Sequence, residues 1–177
     1  MNKNILLGSA ALIAALLAGQ ASAAMPVASD TASASMTLLR PLSVAKTQDM
    51  GFGAIVQGTG TVTLAADGTL TTGGTTDKTA SSSGSVKTAN FTITGEGAQD
   101  ISITVPASFQ LTSSADSNSK LTVSVLHNIA TPAHTVLSGA LAAQGQTSFN
   151  VGGSFALNGS EATGTYTGSF TVSANYN

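Results

Sequence analysis

Apolar and polar residues alternate along most of the chain, most regularly in its last fourteen residues, GTYTGSFTVSANYN. Tyr166, Gly168, Phe170, Val172, Ala174 and Tyr176 fall on one side of an extended chain, with Thr165, Thr167, Ser169, Thr171, Ser173 and Asn175 on the other. A strand with one dry face needs an apolar surface to cover it. Runs of the same period recur at 33–39, 42–46, 52–56, 61–64, 91–95, 101–105, 109–112, 121–126, 149–157 and 165–176. Asp67-Gly68 between two such runs predicts a two-residue hairpin, and Pro41 marks an edge strand or a crossing between sheets. Gly152-Gly153 marks either a bulge or a tight turn, and 71–87, low in apolar residues, reads as a surface loop. Short strands separated by turns every 8 to 12 residues or so predict an all-β fold. Its expected form is an immunoglobulin-like antiparallel β-sandwich, with a barrel as the other closure.

No 3.6-residue period appears after the start, MNKNILLGSAALIAALLAGQASAA. One basic residue, Lys3, precedes an apolar stretch over 5–18 that is shorter than the ~20 residues a membrane span needs. Ala21 and Ala23 form an A-x-A pattern, so 1–23 reads as a secretory signal peptide cut between Ala23 and Ala24. The expected mature chain has no membrane span. It consists of a flexible segment or donor strand over 24–31 and a single sandwich domain over 32–177. An exported chain of this size is expected in the periplasm in transit and then at the cell surface or outside the cell.

Composition narrows the function. The chain has no cysteine, so stability must come from packing or assembly rather than from disulfides. After the cut, Arg40, Lys46, Lys78, Lys87 and Lys120 stand against 8 acidic residues, which offers no basic patch for nucleic acid. Only 8% of residues are charged, a weak defence of strand edges against pairing with other chains.

The search for chemistry yields little. His127 and His134 have no further ligand partner that would make a zinc site, and Asp116 and Asn118 read as a polar turn rather than a calcium loop. The stretch GGSFA lacks the last glycine and the following helix of a nucleophile elbow, so Ser154 is expected to be a strand residue. No carboxylate pair has the spacing of a general acid and base. No catalytic residue, metal or cofactor is therefore assigned, and the chain is read as a non-enzyme.

Gly164 is the fourteenth residue from the end and Tyr176 the penultimate one, with alternating apolar residues between. This arrangement resembles the C-terminal signature of subunits assembled by the chaperone-usher pathway. The stretches RPLSVAKTQDMGFGAIV, FNVGGSFAL and GTYTGSFTVSANY also resemble an exported bacterial family, domain of unknown function 4402, over about 32–177. The first resemblance implies a groove left by a missing strand, walled by Gly164, Tyr166, Gly168, Phe170, Val172, Ala174 and Tyr176. It further implies an Asn177 carboxylate held by a periplasmic chaperone, export through an outer-membrane usher, and a homopolymer in which a neighbour's N-terminal extension fills the groove. In this chain the candidate donor presents Ala28, Ala32, Ala34, Met36 and Leu38 on one face, interrupted by Asp30. The expected function is a structural subunit of an extracellular fibre or surface coat. The alternative is a closed monomeric sandwich acting as a surface or ligand-binding module, with the N-terminal segment as its first strand.

Overall fold

The structure, a computed structural model, describes residues 27–79, 85–130 and 134–177. The chain divides into two units, Met1–Met36 and Thr37–Asn177. In the first, residues 27–36 are exposed and lie in no strand, and Ala23 and Ala24 fall outside the described residues. The second is built of strands that form where apolar residues recur at every second position. In chain order these are β1 (Ser43–Gln48), β2 (Gly51–Phe52), β3 (Ile55–Val56), β4 (Thr59–Leu64) and β5 (Leu70–Thr72). They continue with β6 (Asp77–Lys78), β7 (Val86–Lys87), β8 (Ala89–Glu96), β9 (Asp100–Thr104) and β10 (Ser108–Ser113). The last are β11 (Lys120–His127), β12 (His134–Val136), β13 (Gln144–Asn158), β14 (Tyr166–Thr167) and β15 (Ser173–Tyr176).

All pairings among these strands are antiparallel. The main sheet runs β1-β8-β13-β11-β10-β14, with β4 also on β13 and β5 on β4. A second sheet runs β12-β9-β15, and two ribbons pair β2 with β7 and β3 with β6.

The 15-residue β13 organises the main sheet. Its first half pairs with β8 as far as Val151↔Ala89, and its second half pairs with β4 from Gly153↔Leu64 onward. On the opposite edge β11 holds Val151 to Ser154 in unbroken register. Gly152-Gly153 is therefore neither a bulge nor a turn, but the point where one edge of β13 passes from β8 to β4. A Cβ on Gly152 would lie 2.0 Å from the Leu64 carbonyl oxygen, so the handover requires a residue without one.

Two apolar clusters pack against this sheet. The first joins Phe91 and Ile93 of β8, Ile101 and Ile103 of β9, and Phe149 and Val151 of β13, with Leu137 and Val172. It fills the space between the main and second sheets, and the Phe91 and Phe149 rings stack at 5.6 Å. The second collects Val62, Leu64, Leu70, Leu121, Val123 and Phe155, with Phe52, Ile55 and Val86 of the ribbons packed against it. The chain is thus the all-β antiparallel sandwich that the alternation predicts.

Four local expectations are corrected. Residues 33–39 form no strand, because Ala and Ser offer too little apolar area to anchor one; Met36 and Leu38 are exposed. The stretch 71–87 is not merely a loop: β6 and β7 lie in it, and Thr76 is buried with its hydroxyl donating to the Val56 carbonyl at 2.9 Å. The run 165–176 is not one strand, since β14 pairs with β10 while β15 pairs with β9 in the other sheet.

The Asp67-Gly68 hairpin has a three-residue loop rather than two. The Gly68 amide donates to the Ala65 carbonyl at 3.0 Å, the Ala65 amide donates to Thr69 at 2.9 Å, and Gly68 has φ +90°. A left-handed glycine after a tight turn lets β4 and β5 keep their twist. The Thr69 backbone and hydroxyl hydrogen bonds to Asp67 lower its carboxyl pKa from the ordinary value.

Gly68→Ala should cost about 1–2 kcal/mol, the penalty for a side chain in the left-handed region, because nothing lies within 4 Å of the added methyl. Gly152→Ala should cost more, since its methyl meets a backbone oxygen that no rotamer can move. Urea unfolding of the purified variants checks the ranking; equal costs would contradict the close approach.

Candidate functional site

The two ends of the main sheet leave a groove of about 940 Å³ between them. One wall is formed by residues 44–57, from β1 through β3, and the other by residues 161–172. Phe91, Phe109, Leu121 and Phe155 are among the residues lining it between the walls, and they belong to or pack against the two apolar clusters. The groove is thus an opening into the core.

Its walls run in opposite directions, because five successive antiparallel pairings separate β1 from β14. At one end Val172 belongs to the first cluster and Val44 packs against it. At the other, the Gln57 side-chain amide donates to the Glu161 carbonyl at 2.7 Å and to the Gly159 carbonyl at 3.2 Å, latching the walls together. Among the described residues, β1 pairs only with β8 and β14 only with β10, while 168–172 lie in no strand. β1 and β14 are thus the two ends of the main sheet, each with one strand partner among the described residues.

Five of the residues expected to wall a groove line this one: Gly164, Tyr166, Gly168, Phe170 and Val172. Phe170 sits with its ring centroid 4.9 Å from that of Phe109 and 5.8 Å from that of Phe91, tying the wall to both halves of the main sheet. A Cβ on Gly168 would lie 2.1 Å from the Gln110 carbonyl oxygen, so this glycine lets the wall lie against β10. The Tyr166 hydroxyl donates to the Ala162 carbonyl at 2.7 Å and lies 2.6 Å from the Ser119 hydroxyl.

Ala174, Tyr176 and Asn177 are not part of the groove lining. They follow the chain into the second sheet, where Ala174 packs against the first cluster and Asn177 is exposed beside Asp100 and His134. The Tyr176 hydroxyl donates to the Arg40 carbonyl at 2.8 Å and accepts from the Glu96 amide at 2.6 Å. The candidate donor residues Ala28, Ala32, Ala34, Met36 and Leu38 are all exposed and in no strand.

Sequence reasoning missed the opposite wall. Its signal was present in MGFGAIV, where Phe52 and Ile55 pack inward while the intervening small residues leave the chain free to bend. It also missed Glu96, which is 2% exposed at the C-terminal end of β8. Its carboxylate accepts from the Arg40 guanidinium at 2.9 Å, from the Arg40 amide at 3.3 Å, and from the Ala142 amide. Burial raises its pKa, but the Ala142 and Arg40 hydrogen bonds and the Arg40 charge outweigh burial and hold it below its ordinary value of 4.5.

Residues weighed for chemistry lie apart. Ser154 is a strand residue whose hydroxyl is 2.8 Å from that of Thr63. His127 pairs with Val151 in the main sheet and His134 with Ser102 in the second. Among the described residues no group of three or more His, Cys, Asp or Glu side chains is placed to hold a metal ion.

The class defined by this geometry is an all-antiparallel β-sandwich with an apolar-lined groove between the ends of its main sheet. Residues 42–176 match the family described as Domain of unknown function (DUF4402), and the chain belongs to that family. No curated protein matches it.

Because the folded pKa of Glu96 is depressed, the unfolded chain takes up this proton more readily. The stability Glu96 contributes is therefore complete above the unfolded value and is lost as pH falls through the folded one. Glu96→Gln should lower stability at neutral pH and flatten its decline below about pH 4.5. Urea midpoints measured across that range check this; an unchanged acid limb would remove Glu96 from the account.

Proposed function

We propose that this protein is an exported structural subunit of an extracellular fibre or surface coat, and that its sandwich is completed by a strand from another molecule. The observation that carries this reading is the groove, with apolar residues between its walls and the two terminal strands of the main sheet, β1 and β14, in them. A strand inserted there would bury three to five apolar side chains at roughly 1.5–3 kcal/mol each. It would add about 0.5–1.5 kcal/mol for each ladder hydrogen bond. That sum rivals the entire stability of a typical domain, about 5–15 kcal/mol, so the subunit is marginal alone and very stable once complemented. This is recognition by β-augmentation.

The apolar segment over 5–18 and the A-x-A pattern support export, the absence of cysteine supports stability gained by assembly, and the Gly164 to Tyr176 spacing supports chaperone-usher handling. In transit the groove would be covered by a periplasmic chaperone, with the outer-membrane usher as the site of exchange. A second reading is favoured by the volume alone, since about 940 Å³ falls within the ~300–1,000 Å³ of small-molecule sites. It would make the protein a monomeric surface module holding an apolar ligand.

Deleting 24–35 should abolish heat-resistant multimers while leaving a chain that a chaperone can still hold. Boiled and unboiled samples from the host surface, run on a denaturing gel beside negative-stain microscopy, check this. Multimers that persist after the deletion would refute strand donation, and a single monomer band without fibres in the unaltered protein would favour the ligand-binding module.

A further inference from the structure

β13 ends on Asn158, which opens the turn Asn158-Gly159-Ser160 and belongs to the single Asn-Gly pair in the chain. The turn leads directly into the 161–172 wall of the groove. Asn158, Gly159 and Ser160 are exposed, and Gly159 has φ +84°, in the left-handed region that favours glycine.

The polar contacts of this turn fall into distinct roles. The Ser160 backbone amide donates to Asn158 Oδ1 at 2.8 Å, and the Ser160 hydroxyl donates to the same oxygen at 2.6 Å. The first of these bonds closes an Asx turn, a ring of atoms that contains both Asn158 Cγ and the Gly159 nitrogen. The Gly159 amide in turn donates to Glu161 Oε2 at 3.0 Å, and the Asn158 amide donates to Glu161 Oε1 at 2.7 Å. A carbonyl with two donors on its oxygen thus shares one small ring with a nitrogen whose proton already points at a carboxylate. These are the parts of an acyl-transfer site: a nucleophile, a base within hydrogen-bond reach of its proton, and donors where negative charge develops.

Asp67-Gly68 shows what this arrangement adds. There too the amide two residues on, that of Thr69, donates to the side-chain oxygen at 2.8 Å, and the glycine is again left-handed. The Gly68 amide, however, donates to the Ala65 carbonyl, which is no base. The Thr69 hydrogen bonds also favour the charged form of Asp67, and a carboxylate resists nucleophilic attack.

We propose that Asn158 is a self-modifying site, where the folded turn converts the side-chain amide through a succinimide into aspartate and isoaspartate. The Gly159 nitrogen forms a bond to Asn158 Cγ as its proton passes to Glu161, while the two Ser160 donors hold the charge that develops on Oδ1. The Cγ–Nδ2 bond then breaks, and Nδ2 takes that proton and leaves as ammonia. Water adds to either carbonyl of the succinimide and opens it, to aspartate or to isoaspartate with the backbone running through Cβ. Exposure of the turn admits the water and releases the ammonia.

The product changes the groove. Isoaspartate lengthens the backbone by a methylene where Asn158 still pairs with Thr59 of β4, and it brings a new carboxylate beside Glu161. Gln57 latches the walls through the Gly159 and Glu161 carbonyls, so conversion displaces both acceptors of the latch. The subunit therefore folds with its walls latched at this end and loses the latch with age. This inference goes beyond the strand-complementation reading and does not depend on it.

The purified full-length protein, incubated at neutral pH and digested for mass spectrometry, should accumulate aspartate and isoaspartate at 158 faster when folded than when held unfolded in urea. Residue 67 should show no comparable isoaspartate. Hydroxylamine, which cleaves succinimides, should cut the folded chain between Asn158 and Gly159. Glu161→Gln should slow conversion about tenfold or more, since a positioned base supplies ~10²–10⁴-fold. Ser160→Ala, which keeps the backbone donor, should slow it by less. Converted protein, separated by its added charge, should unfold at lower urea than unconverted protein. A folded chain that keeps Asn158 intact, or converts it no faster than the unfolded chain, would overturn the proposal, and this comparison needs no variant to fold. A rate untouched by Glu161→Gln would remove the base, and equal urea midpoints would remove the effect on the latch.

Discussion

Backbone hydrogen bonding at the two ends of the main sheet is the constraint on which the rest of the structure turns. Inner strands satisfy both edges: β13 has β8 and then β4 on one side and β11 on the other. The terminal strands β1 and β14 satisfy only one each among the described strands, and the sheet between them brings the two strands to opposite sides of one groove. Backbone donors and acceptors beside an apolar lining need partners. In the proposed reading, a strand from another molecule would supply those partners.

The terminal segment is both a wall of this groove and a tie across the fold. It leaves β10 after Thr167, lays Phe170 between Phe91 and Phe109, buries Val172 in the first cluster and joins β9 from Ser173 onward. Tyr176 then binds the Arg40 carbonyl and the Glu96 amide, fixing the start of β1. The two walls are thereby connected through hydrogen bonds at both ends, by Gln57 to Glu161 at one and through the Tyr176, Arg40 and Glu96 cluster at the other. In a chain without disulfides these polar contacts and the cluster packing hold the two walls in place.

Much of the fold is legible in residue order because a strand with one buried face must alternate. Phe91 and Ile93, Ile101 and Ile103, Leu121 and Val123, and Phe149 and Val151 are apolar at every second position, and all are buried. The failures have equally local causes. Residues 33–39 alternate too, but alanine and serine supply little area to bury. The 71–87 stretch looks too polar for structure, yet Thr76 is buried because its hydroxyl finds the Val56 carbonyl. The span 165–176 alternates without a break although it changes sheets, since Phe170 and Val172 find apolar partners on either side of the change.

Sequence alone determined which residues turn inward, that no helix-period segment follows the first 23 residues, and that the alternation over 165–176 puts Tyr166, Phe170 and Val172 on one apolar side. It also carried the family to which residues 42–176 belong. Only the tertiary structure decided that this face is divided between two sheets, that Ala174 and Tyr176 lie beyond the groove, and that the facing wall comes from residues 44–57. The physical reason is that alternation records the side of a strand a residue occupies, not the strand that occupies its edge. Edge partners depend on contacts between distant parts of the chain, here set by the 15-residue β13 and by the glycine pair where it passes from β8 to β4.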